Sequence, residues 1–101
     1  MKPVRYHPEA LIEYDEAIGY YADIDPDLGR DCRLALEAAR AKLRERPNSY
    51  VRDEDTGCRE CVVKKFPYSF HYREYDDHIW LVAVAHHKRK PGYWHHRLRQ
   101  H

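Results

Sequence analysis

No stretch of this sequence holds the roughly 20 consecutive apolar residues that span a bilayer. The opening Met1-Lys2-Pro3-Val4-Arg5 also lacks the apolar run of a signal peptide. A cytoplasmic location without membrane association is therefore the expectation. Internal repeats, low-complexity tracts and interdomain linkers are absent, which leaves a globular reading. Cysteine is sparse: Cys32, Cys58 and Cys61 are expected to remain thiols in a reducing compartment. Acidic residues are missing altogether from 86–101, which carries Lys88, Arg89, Lys90, Arg97 and Arg99. By contrast, 9–45 carries ten acidic and five basic residues, so the net charge of +1 hides an asymmetry. A basic tail on a nearly neutral chain implies contact with something anionic, nucleic acid or an acidic protein surface. The alternative is a solvated basic terminus.

What is present describes one small domain over 1–101. Hydrophobic residues at 43% and charged residues at 35% make a soluble, foldable composition. A chain of 101 residues has room for one sheet covered by a few helices.

Val4 and Tyr6 alternate with Arg5, as in a short strand. Pro8 then suits the first turn of a helix, with Glu9 at the positive end of its dipole. Leu11, Tyr14, Ile18 and Tyr21 recur at helical spacing as one apolar face, broadened by Ala10, Ala17 and Ala22. Asp25-Pro26-Asp27 starts a second helix: Asp25 caps it and Pro26 takes the first helical position. Leu28, Cys32, Leu36, Ala39 and Leu43 form its apolar stripe, Arg40, Lys42, Arg44 and Arg46 enrich its end in positive charge, and Pro47 ends it. The short connection makes an antiparallel helical hairpin. Beyond Pro47 the period changes to two. Strands are expected over 59–65 and 68–75, broken at Pro67, then a hairpin loop at Asp76-Asp77. The nearly continuous apolar run over 78–85 predicts a central strand covered on both faces. A short helix is expected over 93–98. The result is an α+β domain of order β-α-α-β-β-β with a C-terminal helical turn, its hairpin packed on an antiparallel-rich sheet.

This order, and the residues within it, resemble the RelE/ParE toxin superfamily over nearly the whole chain. Val4-Arg5-Tyr6-His7-Pro8-Glu9-Ala10 is similar to that family's strand-to-helix opening. Tyr20-Tyr21 and Leu28-Gly29 fit its hairpin. More specific are Lys65-Phe66-Pro67-Tyr68-Ser69-Phe70-His71-Tyr72 and Val84-Ala85-His86-His87-Lys88-Arg89-Lys90-Pro91-Gly92-Tyr93-Trp94. They resemble the FPY-x-x-x-Y and H-x-x-R-x-P-x-Y-W patterns of plasmid-stabilisation toxins. The resemblance implies a toxin of a bacterial type II toxin–antitoxin pair and a co-expressed antitoxin that neutralises it. It also implies a last strand that lies centrally beside the first. Separately, no cofactor or metal is expected.

The superfamily has two functional classes. RelE-type members cut messenger RNA on the ribosome and need cations for the scissile phosphate plus acid and base groups. The candidates for that chemistry are Arg59, Lys65, His86, Arg89 and Tyr93, with Lys64 and His87 beside them. The RelE pattern places an arginine directly after the tyrosine of the Phe-Pro-Tyr strand; here that position is Ser69, which cannot supply the charged fork. ParE-type members bind DNA gyrase and stabilise its cleavage complex without chemistry of their own. That class needs only a recognition surface. Arg89, Tyr93, Trp94 and Arg97 are the candidates for target binding, since such residues concentrate at interface hot spots. The missing arginine favours the gyrase reading. A third reading is an inactive or repurposed member that merely binds its antitoxin or nucleic acid.

Each site residue has a plainer alternative. Tyr68, Phe70 and Tyr72 share a strand face and suit the core. Trp94 could instead anchor the tail on the sheet. Arg59 could pair with Glu60 or Glu74. His71 and His78 read as surface strand residues, and His95, His96 and His101 as solvated. Cys58 and Cys61, three apart on a strand, point to opposite faces, which disfavours zinc. The antitoxin is expected over an apolar surface such as the groove between hairpin and sheet, and a homodimer is possible without it.

Overall fold

A computed structural model describes residues 1–101. Strand β1 (Val4–Tyr6) leads into helix α1 (Pro8–Ile24), whose start is capped from outside: the His7 ring Nδ1 accepts the Glu9 amide at 3.1 Å, with Pro8 in the first turn. A single residue, Asp25, separates α1 from α2 (Pro26–Glu45). Its amide closes the last turn of α1 on the Tyr21 carbonyl, and its carboxylate accepts the Asp27 amide at 2.8 Å. A turn this short folds the helices back on each other. They meet so closely at Gly29 that a Cβ there would lie 2.6 Å from the Ala22 Cβ. Gly29→Ala is therefore expected to destabilise the hairpin by about 1–3 kcal/mol through overpacking, measured by urea unfolding. An unchanged midpoint would mean that the helices separate without cost.

The stripe expected on α2 is the one that is buried: Cys32, Leu36, Ala39 and Leu43 face the sheet, and Leu28 packs against them in part. On α1 the expectation needs correction. Ala10, Tyr14 and Ala17 are buried and Ile18 and Tyr21 half-buried, but Leu11 is 47% exposed. Hairpin geometry rotates α1 so that its small residues approach the sheet, and Leu11 falls outside the contact.

The sheet runs β1-β4-β3-β2, with β2 (Arg59–Val62), β3 (Tyr68–Glu74) and β4 (Ile79–His86) antiparallel in sequence. β1 joins β4 in parallel, with Val4 opposite Ile79, so the sheet is mixed and β4 is central. Strand β2 is shorter than the expected 59–65. Lys65 adopts a positive φ of 71° in the turn before Phe66 and Pro67, which ends the extended run. The C-terminal turn is a 3-10 helix at His95–Arg99, displaced towards the C-terminus from the expected 93–98.

Between β3 and β4 the register slips. Phe70 faces Val84 and His71 faces Ala83, but Tyr72 faces Leu81, so Val82 has no opposite number. This bulge switches the alternation of β4. Ile79, Leu81 and Val84 join the large core under the helices, with Tyr14, Leu36, Phe70 and Tyr72. Trp80, Val82 and Ala83 face the other way and form a second apolar cluster with Cys58 and Trp94. The apolar run of β4 is thus covered on both faces, by the hairpin on one and by the C-terminal segment on the other. No helix is long and apolar enough to cross a membrane.

Candidate functional site

The C-terminal segment starts where β4 ends. Its first turn is fastened to the neighbouring loop, the His87 amide donating to the Pro67 carbonyl at 2.8 Å. His86 Nδ1 accepts the Lys88 amide at 3.0 Å, and the chain reverses through Gly92, whose φ of +76° suits a residue without a side chain. Trp94 then inserts onto the second cluster, 4% exposed, with the His71 ring stacked on it at 4.6 Å.

A buried charge pair holds this segment down. Arg97, 4% exposed, donates from both terminal nitrogens to Glu13 of α1, at 2.8 and 2.9 Å, and from one of them to the Val82 carbonyl at 3.1 Å. The same carboxylate accepts the Tyr93 hydroxyl at 2.6 Å and the Val84 amide at 3.0 Å. Val82 is the bulged residue, so its free carbonyl is what Arg97 reaches. Burial raises the Glu13 carboxyl; hydrogen bonds from Arg97, Tyr93 and Val84, together with the Arg97 charge, outweigh that and leave it below the ordinary range. The Tyr93 hydroxyl is pushed well above its usual value by burial and by its bond to Glu13. Arg97 Nε alone has no hydrogen-bond partner; the Glu9 carboxylate stands 3.6 Å away.

Two concavities adjoin this anchor. The larger, about 930 Å³ and open to solvent, lies on the sheet face turned away from the helices, between the 50–60 segment and the 86–95 segment. Arg59, His86, Arg89 and Tyr93 line it, and Ser69 forms part of its floor. The smaller, about 250 Å³, is a notch between α1 and the ends of β3 and β4, lined in part by Glu16, Tyr20, Tyr68 and Val84. Arg89 and Tyr93 border both. The Arg89 guanidinium lies 3.9 Å above the Tyr93 ring and makes no salt bridge, so a held aromatic carries an exposed cation between the two.

The family model described as "ParE toxin of type II toxin-antitoxin system, parDE" matches residues 4–91. The chain belongs to the ParE toxin family. A solved structure described as the chromosomal ParDE TA system from P. aeruginosa superposes with a TM-score of 0.73 at 17% identity, covering 85% of this chain and 96% of that one. At that identity the likeness speaks for the fold. No curated protein matches the sequence. The family match ends at residue 91, so the ParE toxin match stops just before the anchor formed by Tyr93, Trp94 and Arg97.

Within this ParE toxin, the four residues expected to face a target divide. Arg89 is exposed and Tyr93 half-buried. Trp94 and Arg97 are corrected to interior positions, one filling the second cluster and the other neutralised by Glu13. Of the five nuclease candidates, Arg59, His86, Arg89 and Tyr93 border one cleft, while Lys65 sits in the turn preceding β3 and lines neither concavity. Arg59 pairs with neither Glu60 nor Glu74: it donates to the Tyr50 carbonyl, and Glu74 is taken by Lys2 at 2.8 Å. Ser69 is 1% exposed, its hydroxyl 2.9 Å from His87 Nε2. His78 is buried, not superficial. It is held between Asp77 at 2.7 Å and His101 at 2.9 Å, and His101 itself stacks on Trp80 at 4.0 Å. Cys58 and Cys61 lie in the two separate clusters, and burial pushes both thiols up. Sequence reasoning missed Glu13. Nothing in its neighbourhood marks it, since an isolated carboxylate on a helix next to apolar residues reads as solvent-facing.

Proposed function

We propose that this ParE-family chain acts in the cytoplasm as a single toxin domain that binds DNA gyrase, and that a cognate antitoxin neutralises it. The observation that carries the reading is Ser69. Where the nuclease pattern has an arginine fork, this chain has a buried serine whose hydroxyl is already engaged by His87. A target-binding toxin loses nothing by that replacement. The family match supports the same class. The surface offered to the target is Arg89 over the Tyr93 ring, with Lys90 beside it and Trp94 and Arg97 acting beneath as anchors.

The notch between α1 and the sheet is where the antitoxin fits. It is bounded by Tyr20, 61% exposed, and shares Arg89 and Tyr93 with the target surface. A segment seated there would cover the cation that the target needs, so neutralisation requires only steric overlap. The test is a supercoiling assay with purified chain and gyrase. Inhibition supports the reading; unaffected supercoiling together with cleavage of ribosome-bound message overturns it in favour of a nuclease.

Arg89→Ala and Tyr93→Ala are each expected to weaken inhibition about tenfold, or about 1.4 kcal/mol of binding. Tyr93→Phe keeps the ring beneath Arg89 and is expected to retain most of the activity. Full-strength growth arrest in both alanine variants at equal expression would contradict the assignment.

A further inference from the structure

We infer that the larger cleft is a phosphodiester-binding site that takes a single-stranded stretch of nucleic acid and does not cut it. The inference goes beyond the gyrase reading and does not rest on it.

Charge is the first argument. Arg59 forms one wall of the cleft, and Arg89 and Lys90 form the opposite wall; none of the three makes a salt bridge. Behind the same wall as Arg59, the guanidinium groups of Arg52 and Arg73 converge on Gly57, within 3.3 and 3.5 Å of where its Cβ would stand, and they too lack carboxylate partners. Two carboxylates line the cleft. Asp53, whose oxygens accept the Asp55 amide at 3.0 Å and the Thr56 hydroxyl at 3.2 Å, and Glu60 leave the five nearby cations in excess of the two acids. Gathering uncompensated cations around one concavity costs folding stability, and an anion bound between them removes that repulsion.

Shape and surface chemistry select among anions. A volume of about 930 Å³ falls at the upper end of the range for small-ligand pockets, roughly 300–1,000 Å³, yet the cleft is open to solvent. That form suits a strand laid across it better than an enclosed metabolite. Flat rings accompany the cations: the exposed His95, the outer face of half-buried His71 (its other face lies on the buried Trp94), and Tyr50 half-buried on the Arg59 side. Cationic walls with ring faces between them are how proteins hold single strands, the phosphates on the charges and the bases on the rings. An acidic peptide would use the cations and leave the rings idle. Binding without cutting follows from Ser69, because the floor of the cleft offers a buried hydroxyl where a scissile phosphate would need a charged fork.

The test uses the full chain alone, without gyrase or ribosome, and fluorescence anisotropy of labelled oligonucleotides of about a dozen nucleotides. One is DNA and one RNA, with an oligoglutamate peptide of matching charge as the third probe. Both nucleic acids are expected to bind, with a log–log salt slope of about −2 if Arg59, Arg89 and Lys90 each neutralise one phosphate. A preference for RNA would place the 2′-hydroxyl among the contacts and still support the site. The double variant Arg89→Glu, Lys90→Glu is expected to weaken binding more than tenfold, and Arg59→Gln about threefold. The control Arg30→Glu, Arg33→Glu makes the same charge change on the exposed face of α2 and is expected to leave affinity within about twofold. Thermal melting verifies that each variant folds. The inference is overturned if neither oligonucleotide binds at low salt, if the α2 control loses as much as the cleft variant, if oligoglutamate binds as tightly as DNA, or if the RNA is shortened. Failure of gyrase inhibition with oligonucleotide binding intact would count against the gyrase reading alone.

Discussion

Glu13→Ala is expected to lower folding stability by about 3 kcal/mol, and Arg97→Met by clearly less, about 1–2 kcal/mol. The two substitutions break the same ion pair but leave different orphans. Removing Glu13 strands a guanidinium that is 4% exposed, with the Val82 carbonyl and a distant Glu9 carboxylate as its remaining partners. Removing Arg97 leaves a carboxylate whose side chain is 13% exposed and still bonded to the Tyr93 hydroxyl and the Val84 amide. Urea unfolding of the two variants decides the matter, and an Arg97→Met loss equal to or above that of Glu13→Ala would refute this account of the anchor. Acid should act through the same carboxyl. Its folded value lies below the ordinary 4.5, so its contribution is fully present above pH 4.5 and is lost as pH falls through the lower folded value. In Glu13→Ala, unfolding between pH 5 and 3 should depend less steeply on acid than in the parent, by about 1.4 kcal/mol for each unit of lowered pKa.

Trp94→Ala has the other large effect, expected at about 3–5 kcal/mol. The indole is the main lid over Trp80, Val82 and Ala83, and the ring of His71 loses its stacking partner with it. Cys58 belongs to that cluster at 3% exposure, whereas Cys32 and Cys61 lie under the helices. Thiol labelling of the folded variant should therefore accelerate at Cys58 and stay slow at the other two. Equal rates at all three would mean global unfolding, and an unchanged rate at Cys58 would mean that Trp94 does not cover this face.

The elements whose causes are local were legible in the sequence. Asp25-Pro26-Asp27 specifies the start of α2 by capping and fixed φ, and the unbroken apolar run specifies a doubly covered β4. The resemblance supplied the β1–β4 neighbourhood, which periodicity alone does not encode; that the pair is parallel came from the structure. What escaped depends on partners far away in the chain. Arg97 reads as a surface cation in a basic tail, because its carboxylate stands 84 residues earlier. Trp94 admitted two readings until the bulge at Val82 turned Trp80 and Val82 towards it. Leu11 looked like core and lies outside, since the close approach at Gly29 sets the roll of α1. His78 read as exposed because its cover, His101, comes from the last residue of the sequence. Of the candidate site, the Arg89–Tyr93 edge was anticipated and its foundation on Glu13 was not.

The pairing of β1 with β4 also dictates when the protein can assemble. The two helices meet each other within neighbouring sequence and can pair early, but Val4 must wait for Ile79, and Glu13 must wait for Arg97. The chain must therefore be synthesised as far as Ile79 before the first strand finds its place, and as far as Arg97 before the Arg89–Tyr93 edge acquires its footing. Nascent chains that stop before Arg97 carry the helices but give the Arg89–Tyr93 edge no footing on Glu13.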